Sequence, residues 1–233
     1  MRRKTVGGVC LVLGLILVSF FTPMYNVSEI EVSGNERNDA HTVAAASGIS
    51  IGENIFKINL SDVKRRISKV AFVNTVSVRR SFTNKIKISV TESEECAYIS
   101  FIGNYVGIDE NGKILEIKQQ GELDQPIIYG LRIDNFEIGS KVIIADEKVR
   151  AALADILAQV KSSGVTEAIL SVDLNDAENI IMTLRSGVEV KLGSSDSLKY
   201  KIAYLKSVLD ELGDVSGGVI NISDTENVTY RAE

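Results

Sequence analysis

The chain has 233 residues, 45% of them apolar and 24% charged, with a net charge of −5. At roughly 150 residues per domain this means one or two folded units; disordered and collagen-like classes are excluded, and the surplus of acid removes the footprint that nucleic acid requires. A single histidine, His41, and two cysteines, Cys10 and Cys96, give zinc, haem and iron–sulfur chemistry too few ligands, so no cofactor is expected.

Residues 5–28 carry no charged side chain, and Val9 to Phe21 is almost wholly apolar. A helix crosses the hydrocarbon layer in about 20 residues, so a transmembrane helix is predicted over 5–25. Arg2, Arg3 and Lys4 precede it and Glu29 and Glu31 follow, which orients residues 1–4 as a cytoplasmic tail and the bulk as extracytoplasmic. Phe20, Phe21 and Tyr25 fall where an interfacial aromatic belt belongs, and Pro23 is a helix stop. No Ala-x-Ala-like site lies between Phe20 and Glu31, so the segment reads as an uncleaved anchor. Cys96 is then alone outside, with no intramolecular disulfide to form.

Residues 27–95 read as a first module. Val27–Ser33 is strand-like and ends at Gly34-Asn35; Asp39 opens a short helix that Gly48 stops. The loop Ile49–Ile58 carries enough apolar residues to pin itself to a core. Ser61 is expected to cap a helix with Leu60, Val63, Ile67 and Val70 on one face. Val76–Phe82 and Ile86–Val90 alternate around a Thr83-Asn84 turn, a hairpin. The order β-α-α-β-β predicts a helix pair on a small sheet.

Residues 96–233 read as a second module, a mostly antiparallel β domain with helices on one face, which makes the whole chain α+β. Strands are expected at 97–101, 105–109, 114–117 and 127–129, with Glu110-Asn111-Gly112 as a hairpin turn. Asp146 opens a helix to Ser163 with Gly164 as its stop. Strands at 170–174, 180–184 and 188–192 follow. Leu198, Ile202, Leu205, Leu209 and Leu212 mark a second amphipathic helix ending at Gly213, and strands at 218–222 and 228–232 finish the chain.

Catalytic readings find little support. His41 lacks a Gly-x-Ser-x-Gly elbow, and Asp173, Asp176 and Glu178, like Asp146 and Glu147, suit turns and caps. Asp109, Asn111 and Gly112 echo half a calcium loop, but the twelfth position is Gln120 rather than a bidentate carboxylate. Lys64, Arg65, Arg66 and Lys69, with Arg79, Arg80, Lys85 and Lys87, form a basic face that reads either as solvated or as facing anionic headgroups or wall polymers.

Four segments resemble a POTRA domain of the bacterial division family FtsQ, called DivIB in Gram-positive bacteria: Val27–Asn35, Gly52–Ile58, Val73–Arg80 and Ile86–Glu92. Gly187–Gly193 with Lys201, then Gly217–Ser223, resemble that family's carboxy-terminal domain. The order and spacing of these segments behind an amino-terminal anchor are more specific than any one of them. Departures occur at Thr83, where the family often has proline, at Ser93, often arginine, and at Asn221, often aspartate.

The resemblance implies a single-pass, non-enzymatic scaffold of the divisome at the septum. It joins FtsL and FtsB/DivIC and other division proteins to regulate septal peptidoglycan synthesis, and takes no cofactor or nucleic acid. In the family the carboxy-terminal strand pairs with a strand of FtsB/DivIC. On this chain the matching residues are Val228, Thr229, Tyr230 and Arg231, with Tyr230 either an anchor for the partner or a plug of the core. Two alternatives are a membrane-anchored wall hydrolase, which the composition scarcely permits, and a POTRA-containing transport component, which needs a barrel this sequence does not carry. Proline or a charge at Thr229 is expected to abolish partner capture without unfolding the domain.

Overall fold

A computed structural model describes residues 23–81, 84–119, 123–134, 136–212 and 217–232. The predicted membrane segment lies outside these residues except for Pro23–Tyr25, which form one 3-10 turn. Among the described residues no helix is long and apolar enough to cross a membrane. The chain divides into two compact units at Ser93/Glu94.

The first unit contains β1 (Glu29–Ser33), α1 (Ala40–Ser47), α2 (Leu60–Ile67), β2 (Val73–Ser81) and β3 (Lys85–Glu92). The sheet order is β1-β3-β2, with β1 parallel and β2 antiparallel to β3. The helix pair supplies the crossover that a parallel neighbour requires. Ile86, Ile88 and Val90 alternate along the central strand, and their buried face meets Val43, Val63 and Ile67 of the helices. The predicted order of elements is observed, with three local corrections. Asn59, not Ser61, caps α2: its side-chain oxygen accepts the N–H groups of Ser61 and Asp62. Capping residues two positions apart compete, and the one whose extended backbone precedes the first helical turn wins. Asp39 stands at the N-cap of α1 without a side-chain cap bond, and Val70 packs on the core from beyond the end of α2.

The turn after β1 is fixed from across the sheet. Glu92 accepts the backbone N–H groups of Glu36 (3.0 Å), Arg37 (2.7 Å) and Asn38 (3.0 Å), and the Asn38 side-chain amide (2.8 Å). Arg37 also stacks over the Phe72 ring at 4.8 Å. Gly34, at φ +80, passes so close to Val90 that a Cβ would overlap its carbonyl oxygen, so the turn requires glycine.

The second unit is a nine-stranded sheet in the order β12-β11-β10-β9-β8-β7-β4-β5-β6. Its strands are β4 (Ala97–Phe101), β5 (Asn104–Ile108), β6 (Ile114–Lys118), β7 (Ile127–Tyr129), β8 (Ile169–Asp173), β9 (Ile180–Leu184), β10 (Glu189–Gly193), β11 (Val219–Asn221) and β12 (Thr229–Arg231). Five of the eight neighbouring pairs are antiparallel; β4–β7, β7–β8 and β10–β11 are parallel. The expectation of a mostly antiparallel sheet stands. The parallel pairs arise where a hairpin or helix returns the chain to its starting end. The helix α3 (Glu147–Ser163) lies between β7 and β8, and α4 (Leu198–Leu212) between β10 and β11. Asp146 caps α3 by accepting the N–H groups of Lys148 and Val149, and Gly164 ends it in the left-handed region. Leu153, Ile156, Leu157, Ile202 and Leu205 pack on the sheet.

Burial tends to raise the Glu92 pKa, but the donors from Arg37, Asn38 and Glu36 outweigh it and hold the carboxyl below its ordinary 4.5. A lowered folded-state pKa contributes stability that is present above the unfolded value and lost as pH falls through the folded one. Glu92→Gln is therefore expected to cost roughly 1–2 kcal/mol near neutral pH in chemical denaturation. The gap from the parent should close as the pH drops below the carboxylate range.

Candidate partner-binding edge

The acidic groups considered for catalysis have structural roles. Asp109 Oδ1 accepts the N–H groups of Asn111 and Lys113 in the β5–β6 turn; Asp173 and Asp176 do the same for Asn175 and Glu178. Glu178 pairs with Lys148 at 2.7 Å. His41 is exposed on α1. Cys96 is half-buried; burial, aided by the charge of Asp109, pushes its thiol up to about 12, so it stays protonated and unreactive at physiological pH.

Much of the predicted basic face is tied into the first unit. Lys85 bridges Glu29 (2.6 Å) and Glu31 (3.0 Å), Lys87 reaches Glu31, and Arg65 pairs with Asp62. Arg66 donates to Ser47 O, and Arg80 donates to Ile55 O and Ile58 O. Lys64, Lys69 and Arg79 remain exposed.

The four residues assigned to partner binding come together at one end of the nine-stranded sheet. Thr229, Tyr230 and Arg231 form the outermost strand β12, and all three are exposed; Val228, just before it, is half-buried against the core. Tyr230 is 39% exposed and is not a core plug.

Backbone direction follows from the ladder. Glu189 N–H donates to Gly218 O and Ile222 N–H donates to Lys191 O, so Gly218 and Ile222 of this segment face β10. Backbone groups alternate sides along a strand, so Val219 and Asn221 face β12. Their register partners are Arg231 and Thr229, while Tyr230 lies opposite Ile220. Thr229 and Arg231 therefore spend their N–H and C=O groups inside the sheet, and those of Tyr230 point out of the open edge. This corrects the expectation for Thr229: proline there removes an internal bond and loosens β12 itself.

The opposite end of the sheet is different. The start of β6 is covered by residues 139–142: Ile114 N–H donates to Ser140 O, and Gly139 N–H donates to Ile114 O. Such covering is a common way to blunt a strand edge.

Beside β12 lies a groove of about 350 Å³ lined by Tyr200, Ala203 and Tyr204 of α4 and by Ile222, Thr225 and Val228. Tyr200 is 72% exposed and Tyr204 46%. Between them Lys201 is buried, its Nζ donating to Leu192 O (2.7 Å) and Ser194 O (2.9 Å). That clamp ties the first turn of α4 to the end of β10 and so sets the groove wall. Burial lowers the Lys201 pKa, opposed by Asp196. The tyrosine pair escapes a search for apolar periodicity because it lies off the leucine stripe; the readable signal was two aromatics four residues apart on the polar side of a helix.

Gly218, at φ +95, marks where β12 is most vulnerable. A Cβ there would stand 2.6 Å from Arg231 O and 3.2 Å from the Tyr230 ring. With left-handed strain of roughly 1–3 kcal/mol added, Gly218→Ala is expected to free β12 while leaving the rest of the sheet folded. Limited proteolysis checks this: cleavage beyond Ile222 should accelerate by at least about tenfold, without matching loss of far-UV circular dichroism.

Two family models match the chain, one in each unit. Residues 25–93 match the model of the FtsQ-type POTRA domain, and residues 97–228 match the model of the FtsQ/DivIB carboxy-terminal region of cell division proteins. The chain is 29% identical to cell division protein FtsQ of Corynebacterium glutamicum, covering 99% of this chain and 100% of that one. It is 26% identical to cell division protein DivIB of Clostridium botulinum, covering 100% of this chain and 93% of that one. A solved structure of the major extracytoplasmic domain of DivIB from Geobacillus stearothermophilus is 17% identical, with a TM-score of 0.36 over 52% of this chain and 95% of that one. With both halves matched in order, the chain belongs to the FtsQ/DivIB family of bacterial cell division proteins.

Proposed function

We propose that this protein is a non-enzymatic scaffold of the divisome, anchored in the plasma membrane by residues 5–25 with the bulk of the chain outside. It captures an extended segment of FtsB/DivIC, within a complex that includes FtsL, by adding that segment to β12. Through this complex it regulates septal peptidoglycan synthesis. The observation that carries the reading is the outward-facing N–H and C=O of Tyr230 beside the Tyr200–Tyr204 groove. An incoming strand gains main-chain hydrogen bonds from the first and a place for alternate side chains from the second. Tyr230 lies opposite Ile220, whose side chain is in the core, so its ring is on the helix side of the sheet with the groove. The anchor is supported by the charge-free stretch 5–28 and the basic residues before it.

Tyr230→Pro tests the edge directly. Proline at an outward-facing edge position removes a donor that no strand among the described residues uses. Pull-down with the detergent-solubilised full chain should show capture of FtsB/DivIC falling by at least about tenfold, with the melting temperature close to that of the parent. Undiminished capture by the folded variant would refute the edge assignment, and digestion of purified sacculi by the parent protein would overturn the scaffold reading.

A further inference from the structure

The loop at 49–58 of the first unit turns two of its apolar side chains inward and two outward. Ile55 and Ile58 are buried, at 4% and 5% exposure, whereas Ile51 is 63% exposed and Phe56 47%. The loop is not slack. Val27 N–H donates to Glu53 O (2.8 Å), Gly52 N–H to Val27 O (2.8 Å) and Ile55 N–H to Tyr25 O (2.9 Å). The Tyr25 and Phe56 rings meet edge-on at 5.2 Å. Arg80 clamps the same loop from β2 through Ile55 O and Ile58 O. Met24, in the turn that the loop is fastened to, is 66% exposed. Single exposed apolar residues are ordinary; three on one hydrogen-bonded unit ask for a cover.

We propose that Met24, Ile51 and Phe56 form a pad that seats this end of the first unit in the interfacial layer of a lipid bilayer. The inference rests on the reading of residues 5–25 as a membrane anchor. Pro23 stands two residues past Phe21, the last residue of that segment's apolar centre. At about 3.5 Å per residue, Tyr25 lies no more than roughly 10 Å from residue 22. The interfacial layer is itself about 5–8 Å deep on each side of the hydrocarbon. Because the loop is bonded to residues 25–27, the pad cannot stand far from lipid. Interfacial segments bury apolar side chains to about 5–10 Å, and tyrosine is at home there. The loop's charges, Glu53 and Lys57, offset one another, so apolar burial and not headgroup attraction drives the contact. The opposite end of the sheet points away from the bilayer. Strands β1 and β3 run parallel from the Ser28–Asn84 end to the Gly34 turn, which places Glu36 about 20 Å from the pad.

The test uses the purified full chain alone in phosphatidylcholine–phosphatidylglycerol vesicles. Cys10 and Cys96 are replaced by alanine, and an environment-sensitive fluorophore is placed at Leu15→Cys, Ile51→Cys, Phe56→Cys or Glu36→Cys. Labels at 15, 51 and 56 are expected to emit blue-shifted and lose most of their emission to a lipid-borne quencher, while the label at 36 stays water-like. Molar salt should leave the pattern unchanged, since screening weakens charge contacts and not apolar burial. If 51 and 56 are as wet as 36 while 15 is quenched, the pad is refuted and the anchor stands; an unquenched label at 15 refutes both. Burial of 51 and 56 that appears only when a division partner is added would make the pad a protein contact and overturn the lipid assignment.

Discussion

Backbone alternation governs what the second unit can do. Along any strand, successive residues turn their N–H and C=O groups to opposite sides, so an outermost strand satisfies every second residue and leaves the others to solvent. In β12 the division falls between Thr229 and Arg231, which hold the strand to β11, and Tyr230, which faces out. The same three residues therefore have two unlike jobs. A change at Thr229 or Arg231 acts on the integrity of the sheet; under the proposed strand addition, a change at Tyr230 acts on what the sheet recruits. A strand only three residues long is held weakly, and its position depends on groups outside it. Gly218 keeps the backbone of β11 close beneath Arg231, and Lys201 fixes the helix that walls the groove.

The two ends of the nine-stranded sheet show how the fold manages exposed ladders. At β6 the 139–142 segment takes up the Ile114 backbone groups. At β12 no such cover is built from the described residues 217–232, and an aromatic pair on α4 stands beside the strand. In the proposed function, covering one edge and dressing the other directs pairing to a place where side chains discriminate among partners. The first unit spends its polar groups differently: Glu92 gathers four donors to hold the β1 turn, and the lysines of β3 are matched by the glutamates of β1. A basic stripe in the sequence thus becomes, in three dimensions, largely a set of internal ties.

The sequence disclosed more of the elements than of their connections. The helix from Asp146 to Gly164 was readable end to end because cap, apolar stripe and left-handed stop agree, and the β5–β6 hairpin was readable from the strands on either side of Asn111-Gly112. Parallel pairing of β10 with β11, or of β4 with β7, leaves no mark on local periodicity, since it depends on which strand end a long connection returns to. The Asn59 cap was missed because asparagine and serine, two residues apart, carry the same signal. For the candidate edge, residues 228–231 were placed by resemblance, but their inward or outward direction was not. Direction depends on register against β11, and a shift of one residue inverts it. Tyr200 and Tyr204 enter the picture only once α4 is seen to lie beside Val228.

Amide hydrogen exchange read residue by residue along β12 tests the central claim most directly. In the free protein the Thr229 and Arg231 amides should be protected and the Tyr230 amide should exchange quickly. On saturation with the extracytoplasmic part of FtsB/DivIC, the Tyr230 amide should slow by at least about tenfold, with Thr229 and Arg231 retaining their protection. A bound complex in which the Tyr230 amide still exchanges at its free rate would contradict strand addition at this edge.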